Sequence, residues 1–161
     1  MLVSMKTKIL IQKVDKRAGQ YFKQMLSGDA GFDLEVWNPE KVSAGYFIPS
    51  GQFRELATGI KVKVDDNSWG CIRPRSSTFR KRKLFVMEGT IDCGYTGELF
   101  IIVFNPTNDD IFINNGERLA QIIPVPMFDK VQVEEVNVMP YTARGEKGFG
   151  STGGINERKT V

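Results

Sequence analysis

The chain has 161 residues, 41% of them hydrophobic and 25% charged, with a net charge of +3. That is the balance of one soluble globular domain with a sizeable core, and the charge is too small to argue for nucleic acid. There is no histidine, which removes the commonest general base, the commonest zinc ligand and every Ser-His or Cys-His nucleophile system.

Cys71 and Cys93 form no CxxC pair. They argue against a zinc site and fit a reducing compartment in which no disulfide is needed. The start "MLVSMKTKILIQKVDK" has a lysine after five residues and does not read as a signal peptide. No apolar run reaches membrane-spanning length. The expectation is a cytoplasmic or nucleoplasmic protein (host cytoplasm, if viral) with no membrane partner.

Short β-type runs dominate. "KTKILIQKV" opens the chain, and "AGQYFKQMLSG" (18–28) then holds either two helical turns or a loop. "GYFIPSG", "ATGIKVKVDD", "SWGCIRP", "GELFIIVFN", "DDIFINNG", "RLAQIIPVP" and "KVQVEEVNV" follow, separated by turn signals such as Asn38-Pro39, Ser50-Gly51 and Asn114-Asn115-Gly116. In "GIKVKV" the period is two, with Ile60, Val62 and Val64 on one face. "LFIIVF" is continuously apolar and predicts a strand buried on both faces. The pattern predicts an all-β sandwich or barrel. The polar end "INERKTV" predicts disorder.

Five segments could carry chemistry. In "AGFDL", Asp33 is either a turn aspartate at a strand start or a carboxylate aimed into a polar site. In "RPRSSTF", Arg75 offers a rigid fork for phosphate oxygens, with the hydroxyls of Ser76 and Ser77 beside it. If a helix starts there, either serine could cap it. The alternative is a capped helix with a solvated basic face. "EGTIDCGYTGELFIIVFN" reads as a β-hairpin with Asp92 and Tyr95 near its tip. Its backbone could read a planar base and Asp92 could take a proton from water, or both could be plain turn residues. In "NNGERLAQIIPVP", Gln121 falls where the pattern turns apolar, so it should be half-buried and in need of a partner.

The fifth segment, "RGEKGFGSTGG", lacks the GxxxxGK[ST] pattern of a Walker loop. Its glycines could still wrap phosphates with successive N–H groups, or form only a flexible tail. Arg144 adds a fixed positive charge. Phe149 stands apolar among glycines, which suits stacking on a base.

In this order and at these separations, "AGFDL", "PRSS", "GTIDCGYTGEL", "GERLAQIIPVP" and "RGEKGFGSTG" resemble the five motifs of the homotrimeric dUTPase family. The resemblance implies a jelly-roll-like β-barrel over residues 1–143 and a glycine-rich arm over 144–161 that closes the active site. It implies a homotrimer with shared active sites, and hydrolysis of dUTP to dUMP and pyrophosphate, which limits uracil in DNA and supplies dUMP for dTTP synthesis. Magnesium would be bound mainly through the triphosphate, with Asp33 contributing indirectly through water.

Residue by residue, the resemblance makes Asp92 the base that activates water. Tyr95 packs under the deoxyribose, and the hairpin backbone, Gly89 included, reads the uracil. Arg75, Ser76, Ser77 and Gln121 hold phosphate oxygens. Arg144, Gly150, Ser151 and Thr152 bind the outer phosphates, and Phe149 stacks on uracil.

There are two departures, and neither removes a named role. Ser77 stands where many members carry glycine, and Gly94 where many carry an acidic residue. "IDCGY" and "RSSTFR" also resemble the related dCTP deaminases. The glutamate those enzymes use would fall at Ile102, so deamination has no evident base. A third possibility is a binding or regulatory protein on the same fold, with a partner the sequence does not name.

Overall fold

The computed structural model describes residues 8–22, 27–40, 45–128 and 131–146. Residues 1–129 form one compact unit and residues 130–161 a second.

The first unit is built from antiparallel strands. One sheet runs β1 (Ile9–Lys13), β4 (Phe53–Val64), β8 (Glu98–Phe104), β6 (Phe85–Val86). A second runs β2 (Phe32–Glu35), β10 (Arg118–Pro126), β5 (Ser68–Pro74), β7 (Gly89–Ile91). A two-stranded sheet pairs β3 (Gly45–Ile48) with β9 (Ile111–Asn114). The all-β expectation holds among the described residues, with one short helix, α1 (Ser76–Arg82), between β5 and β6.

Period-two patterning explains the core. Ile60, Val62 and Val64 are buried while Lys61 and Lys63 are only half-buried. They meet Leu56, Leu99, Ile101 and Val103 from the same sheet and Leu34, Ile72 and Ile122 from the other. A fully buried leucine stabilises by roughly 1.5–3 kcal/mol.

β8 departs from expectation. Leu99, Ile101 and Val103 are buried, but Phe100 and Ile102 are 39% and 42% exposed. The strand is apolar on both faces, and among the described residues only one of them is covered.

β4 carries a bulge between Ala57 and Lys61. Gly59 sits there at φ +66°, and a side chain at that position would strike Ala18 and Trp37. Its N–H donates to the Glu98 carboxylate at 2.7 Å, and the Thr58 hydroxyl donates to the Leu99 carbonyl at 2.7 Å. The bulge is therefore locked to β8.

Two further expectations change, and the segment left open at 18–28 is partly described. β7 pairs with β5 whereas β8 pairs with β4 and β6, so residues 92–97 cross between sheets and do not join a hairpin. Three-residue β7 finds its backbone partner in β5. Residues 131–136, inside "KVQVEEVNV", form no strand. Within 18–28, the described residues form turns. Gly19 and Gly28 take positive φ (+54° and +97°), and residues 23–26 lie outside the described residues.

The turn at 14–22 folds back over β2. The N–H groups of Gln20 and Tyr21 donate to the buried Glu35 carboxylate at 2.6 and 3.2 Å. Burial pushes that carboxyl above its ordinary value, against the opposing pull of the two N–H donors and of Lys13 and Arg118. No helix among the described residues is long and apolar enough to cross a membrane.

Lys83 closes α1 at φ 57°, a left-handed conformation that suits glycine, and donates its N–H to the Phe79 carbonyl at 2.9 Å. Lys83→Gly should raise stability by about 1 kcal/mol, measured as a higher urea midpoint. Glu35 gives a pH test. Its folded pKa lies above its unfolded one, so its contribution is most favourable below the ordinary glutamate value and declines as pH rises through the window up to the raised value. The urea midpoint of Glu35→Gln should lack that decline when both chains are followed between about pH 4 and 7.

Candidate active site

β2 alternates so that Leu34 enters the core while Asp33 faces out of it. Asp33 is nevertheless only 9% exposed. Its Oδ1 lies 2.8 Å from Arg75 Nε, and its Oδ2 accepts from Arg118 Nη1 at 3.1 Å. One carboxylate thus holds two guanidinium groups.

Arg75 follows β5 in extended conformation (φ −75°, ψ 150°), immediately before α1. Its N–H donates to the Leu119 carbonyl, and Nη1 reaches the Arg118 carbonyl at 3.4 Å. Ser76 is the first helical residue and is exposed; Ser77 is half-buried. Neither serine caps the helix, because Arg75 occupies the cap position and makes no side-chain cap bond. Thr78 pins α1 to β10 instead, donating its hydroxyl to the Leu119 carbonyl at 2.6 Å.

Gln121 lies directly across from both Asp33 and Arg73. It is half-buried and donates from Nε2 to the Pro74 carbonyl at 3.2 Å. A Cβ on Gly31 would stand 2.7 Å from Gln121 Oε1. The glycine of "AGFDL" therefore makes room for the glutamine of the fourth segment. Asp33, Arg75 and Gln121 are brought together as a cationic, donor-rich patch.

Asp92 and Tyr95 lie elsewhere on the same unit. Both are exposed on the 92–97 crossing, where the Tyr95 N–H donates to the Asp92 carbonyl at 3.0 Å. The Tyr95 hydroxyl donates to the Glu98 carbonyl at 2.6 Å, and its ring lies where a Gly97 side chain would be. Glu98 also accepts from Gly59, so the bulge in β4 steadies the segment that presents Tyr95. Gly94 has nothing within 4 Å of a built Cβ, so a side chain there is sterically free. Gly89 is half-buried in β7, opposite Ile72.

The strand register separates these two groups. Ile91, the residue before Asp92, pairs with Gly70 and is the last paired residue of β7. Arg75 is five residues beyond Gly70 along the same extended path, about 17 Å.

Arg144 is exposed in the second unit, close to the turn in which the Gly145 N–H donates to Thr142. Phe149, Gly150, Ser151, Thr152 and the "INERKTV" end lie outside the described residues. Cys71 and Cys93 are free and half-buried. Among the described residues, no three His, Cys, Asp or Glu side chains gather to hold a metal ion.

Arg118 joins the site although none of the sequence readings above includes it. The signal was available: a buried aspartate requires charge partners, and Arg118 sits three residues before Gln121 on the neighbouring strand.

Comparison with known proteins adds the identity. A family model described as dUTPase matches residues 18–153. The deoxyuridine 5'-triphosphate nucleotidohydrolase of Clostridium novyi (strain NT) is 36% identical over 148 residues, covering 91% of this chain and 99% of that protein. The enzyme of the same name from Rickettsia bellii (strain OSU 85-389) is 32% identical over 149 residues, covering 91% and 96%.

Among solved structures, a variant of the Staphylococcus bacteriophage 80alpha dUTPase with dUpNHpp superposes with TM-score 0.77 at 24% identity, over 91% of this chain and 98% of that one. A dUTPase variant from phage phi11 of S. aureus, described as coordinating a structural Mg(II) ion, gives 0.71 at 19% identity over 83% and 99%. The strand architecture is thus the dUTPase fold. With the family model spanning all five segments and relatives above 30% identity matching nearly end to end, this chain belongs to the dUTPase family.

Proposed function

We propose how the family's reaction, hydrolysis of dUTP to dUMP and pyrophosphate, is divided among this chain's residues. The observation that carries the reading is the paired arrangement of Asp33 and Arg75 beside Gln121. Arg75 is held by Nε, which leaves other N–H donors of its fork for phosphate oxygens. Ser76, Ser77 and the Gln121 amide add hydroxyl and amide donors. Asp92, exposed beside Tyr95, accepts a proton from water as that water attacks the α-phosphorus in line. The bond from α-phosphorus to the bridging oxygen breaks and pyrophosphate leaves. Tyr95, braced by Glu98 and Gly97, supports the deoxyribose, while Gly89 and the neighbouring backbone read the uracil edge.

Mg2+ is the family's cofactor. When bound, it screens the phosphate charges and stabilises the leaving pyrophosphate. Both Asp33 oxygens are engaged by arginines. That donor set fits a cation held chiefly by triphosphate oxygens, with Asp33 acting on it through water. Residues 144–161 serve as the arm: Arg144, Gly150, Ser151 and Thr152 on the outer phosphates and Phe149 on the base.

The separation of Asp92 from Arg75 supports an active site shared between copies. About 17 Å of strand between Gly70 and Arg75 is longer than the distance from the attacked α-phosphorus to the neighbouring phosphate oxygens. An apolar outer face supports the assembly itself. Phe53, Phe85, Phe100 and Ile102 are 61%, 48%, 39% and 42% exposed, and β-sheet pairing places them side by side on β4, β8 and β6. A patch of that kind marks an interface, and the family's trimer supplies the partner. Ile102 belongs to this apolar face, which leaves no carboxylate for deamination at that position.

Incubated with Mg2+ and dUTP, dCTP, dTTP or UTP, the protein should release pyrophosphate from dUTP and little from the others. Conversion of cytosine to uracil would overturn the assignment. Asp92→Asn should lower kcat by roughly 10²–10⁴-fold while a non-hydrolysable dUTP analogue still binds; unchanged turnover would remove Asp92 as the base. Ile102→Asp should convert trimer to monomer in light scattering and abolish most activity with it. A trimer of normal mass would place the interface elsewhere.

A further inference from the structure

The turn at 14–22 has no part in the division of labour above, yet it is fastened with unusual care. Ala18 is 1% exposed, and a side chain at Gly19 would collide with Ile60. The Val14 N–H donates to the Gly59 carbonyl at 2.8 Å, and Phe22 stacks on Phe32 at 5.5 Å. Two successive N–H groups, from Gln20 and Tyr21, end on the buried Glu35 carboxylate.

The turn has one consequence for the site. The Arg118 guanidinium carbon stands 4.8 Å from the centre of the Tyr21 ring. Arg118 also pairs in register with Glu35 across β10 and β2, and it donates to the same carboxylate that holds Arg75. The order of contact is Glu35, Tyr21, Arg118, Asp33, Arg75.

We propose that Tyr21, fixed by Glu35, is a positioning residue that holds Arg118 on Asp33 and thereby sets the direction of the Arg75 fork. The inference rests on the reading of Arg75 as a phosphate-holding residue. An arginine side chain has several rotatable bonds, and one hydrogen bond to a carboxylate does not fix its plane. A ring face on one side and a carboxylate at one end do. With Arg118 fixed, the Asp33 carboxylate cannot turn, and Arg75 Nε has one stable seat. The Tyr21 hydroxyl has no part in this; the ring does.

The test uses the full chain with Mg2+ and reads the dissociation constant of a non-hydrolysable dUTP analogue by calorimetry, alongside kcat. Tyr21→Ala should weaken binding by about three- to thirty-fold and change kcat less. Tyr21→Leu, which keeps apolar bulk without a π-face, should match Tyr21→Ala. Tyr21→Phe should restore parental binding.

In an Asp33→Asn background the Tyr21→Ala effect should shrink to near nothing, since both substitutions act on one linkage. Binding unchanged in Tyr21→Ala, restored by Tyr21→Leu, or weakened in full by Tyr21→Ala on top of Asp33→Asn would each overturn the inference. Arg75→Ala separates the two levels. If it binds the analogue as well as the parent, the phosphate reading itself fails. If it binds poorly while Tyr21→Ala binds normally, only the positioning inference fails.

Discussion

A carboxylate largely removed from water must be matched by charge or by hydrogen bonds, because the cost of leaving it bare is several kcal/mol. Asp33 meets that constraint with two arginines, and much of the neighbourhood follows from it. Arg75 has to stand where β5 gives way to α1, so the strand must stay extended to its last residue. Arg118 has to approach from β10, so β10 must lie beside β2 in one register. Gly31 then has to lack a side chain, because Gln121 is carried in with the same strand. A single buried negative charge thus ties three strands and the start of a helix to one another.

Elsewhere the same economy of contact appears with neutral groups. Asn105 is fully buried and satisfied on both ends of its amide: it donates to the Ile48 and Asp109 carbonyls and accepts from Thr107. It closes the connection from β8 to β9 and so fixes where the two-stranded sheet sits against the core. Gly45 lets β3 press against the backbone of Ile113, where any side chain would collide. These are packing requirements, and they differ in kind from Asp33, whose partners remain half-available to a ligand.

Much of this was legible in the amino-acid order, for identifiable reasons. Alternation in "GIKVKV" marks a strand with one face in oil and one in water, and the structure has it so. Gln121 announced a need for a partner by being polar inside an apolar run. The five segments carried family identity through their order and spacing. Where reading failed, the missing information was non-local. "LFIIVF" shows that both faces are apolar but not what covers each. "IDCGYTGEL" has the look of a hairpin, and only strand pairing reveals that its arms join different sheets. Arg118, Tyr21 and Glu35 come together from three separate stretches, and no local pattern links an arginine to a tyrosine 97 positions earlier.

The separation of Asp92, just past the end of β7, from Arg75, just past the end of β5, bears on inheritance as well as chemistry. In the shared centre proposed above, the base and the phosphate clamp of any one reaction would come from different polypeptides. A copy defective at Asp92 still carries a sound clamp, and a copy defective at Arg75 still carries a sound base. Two alleles, each lethal to the enzyme on its own, would assemble together into particles with some whole centres. On that proposal, a defect at Asp92 and a defect at Arg75 would complement each other, whereas two copies defective at the same residue would not.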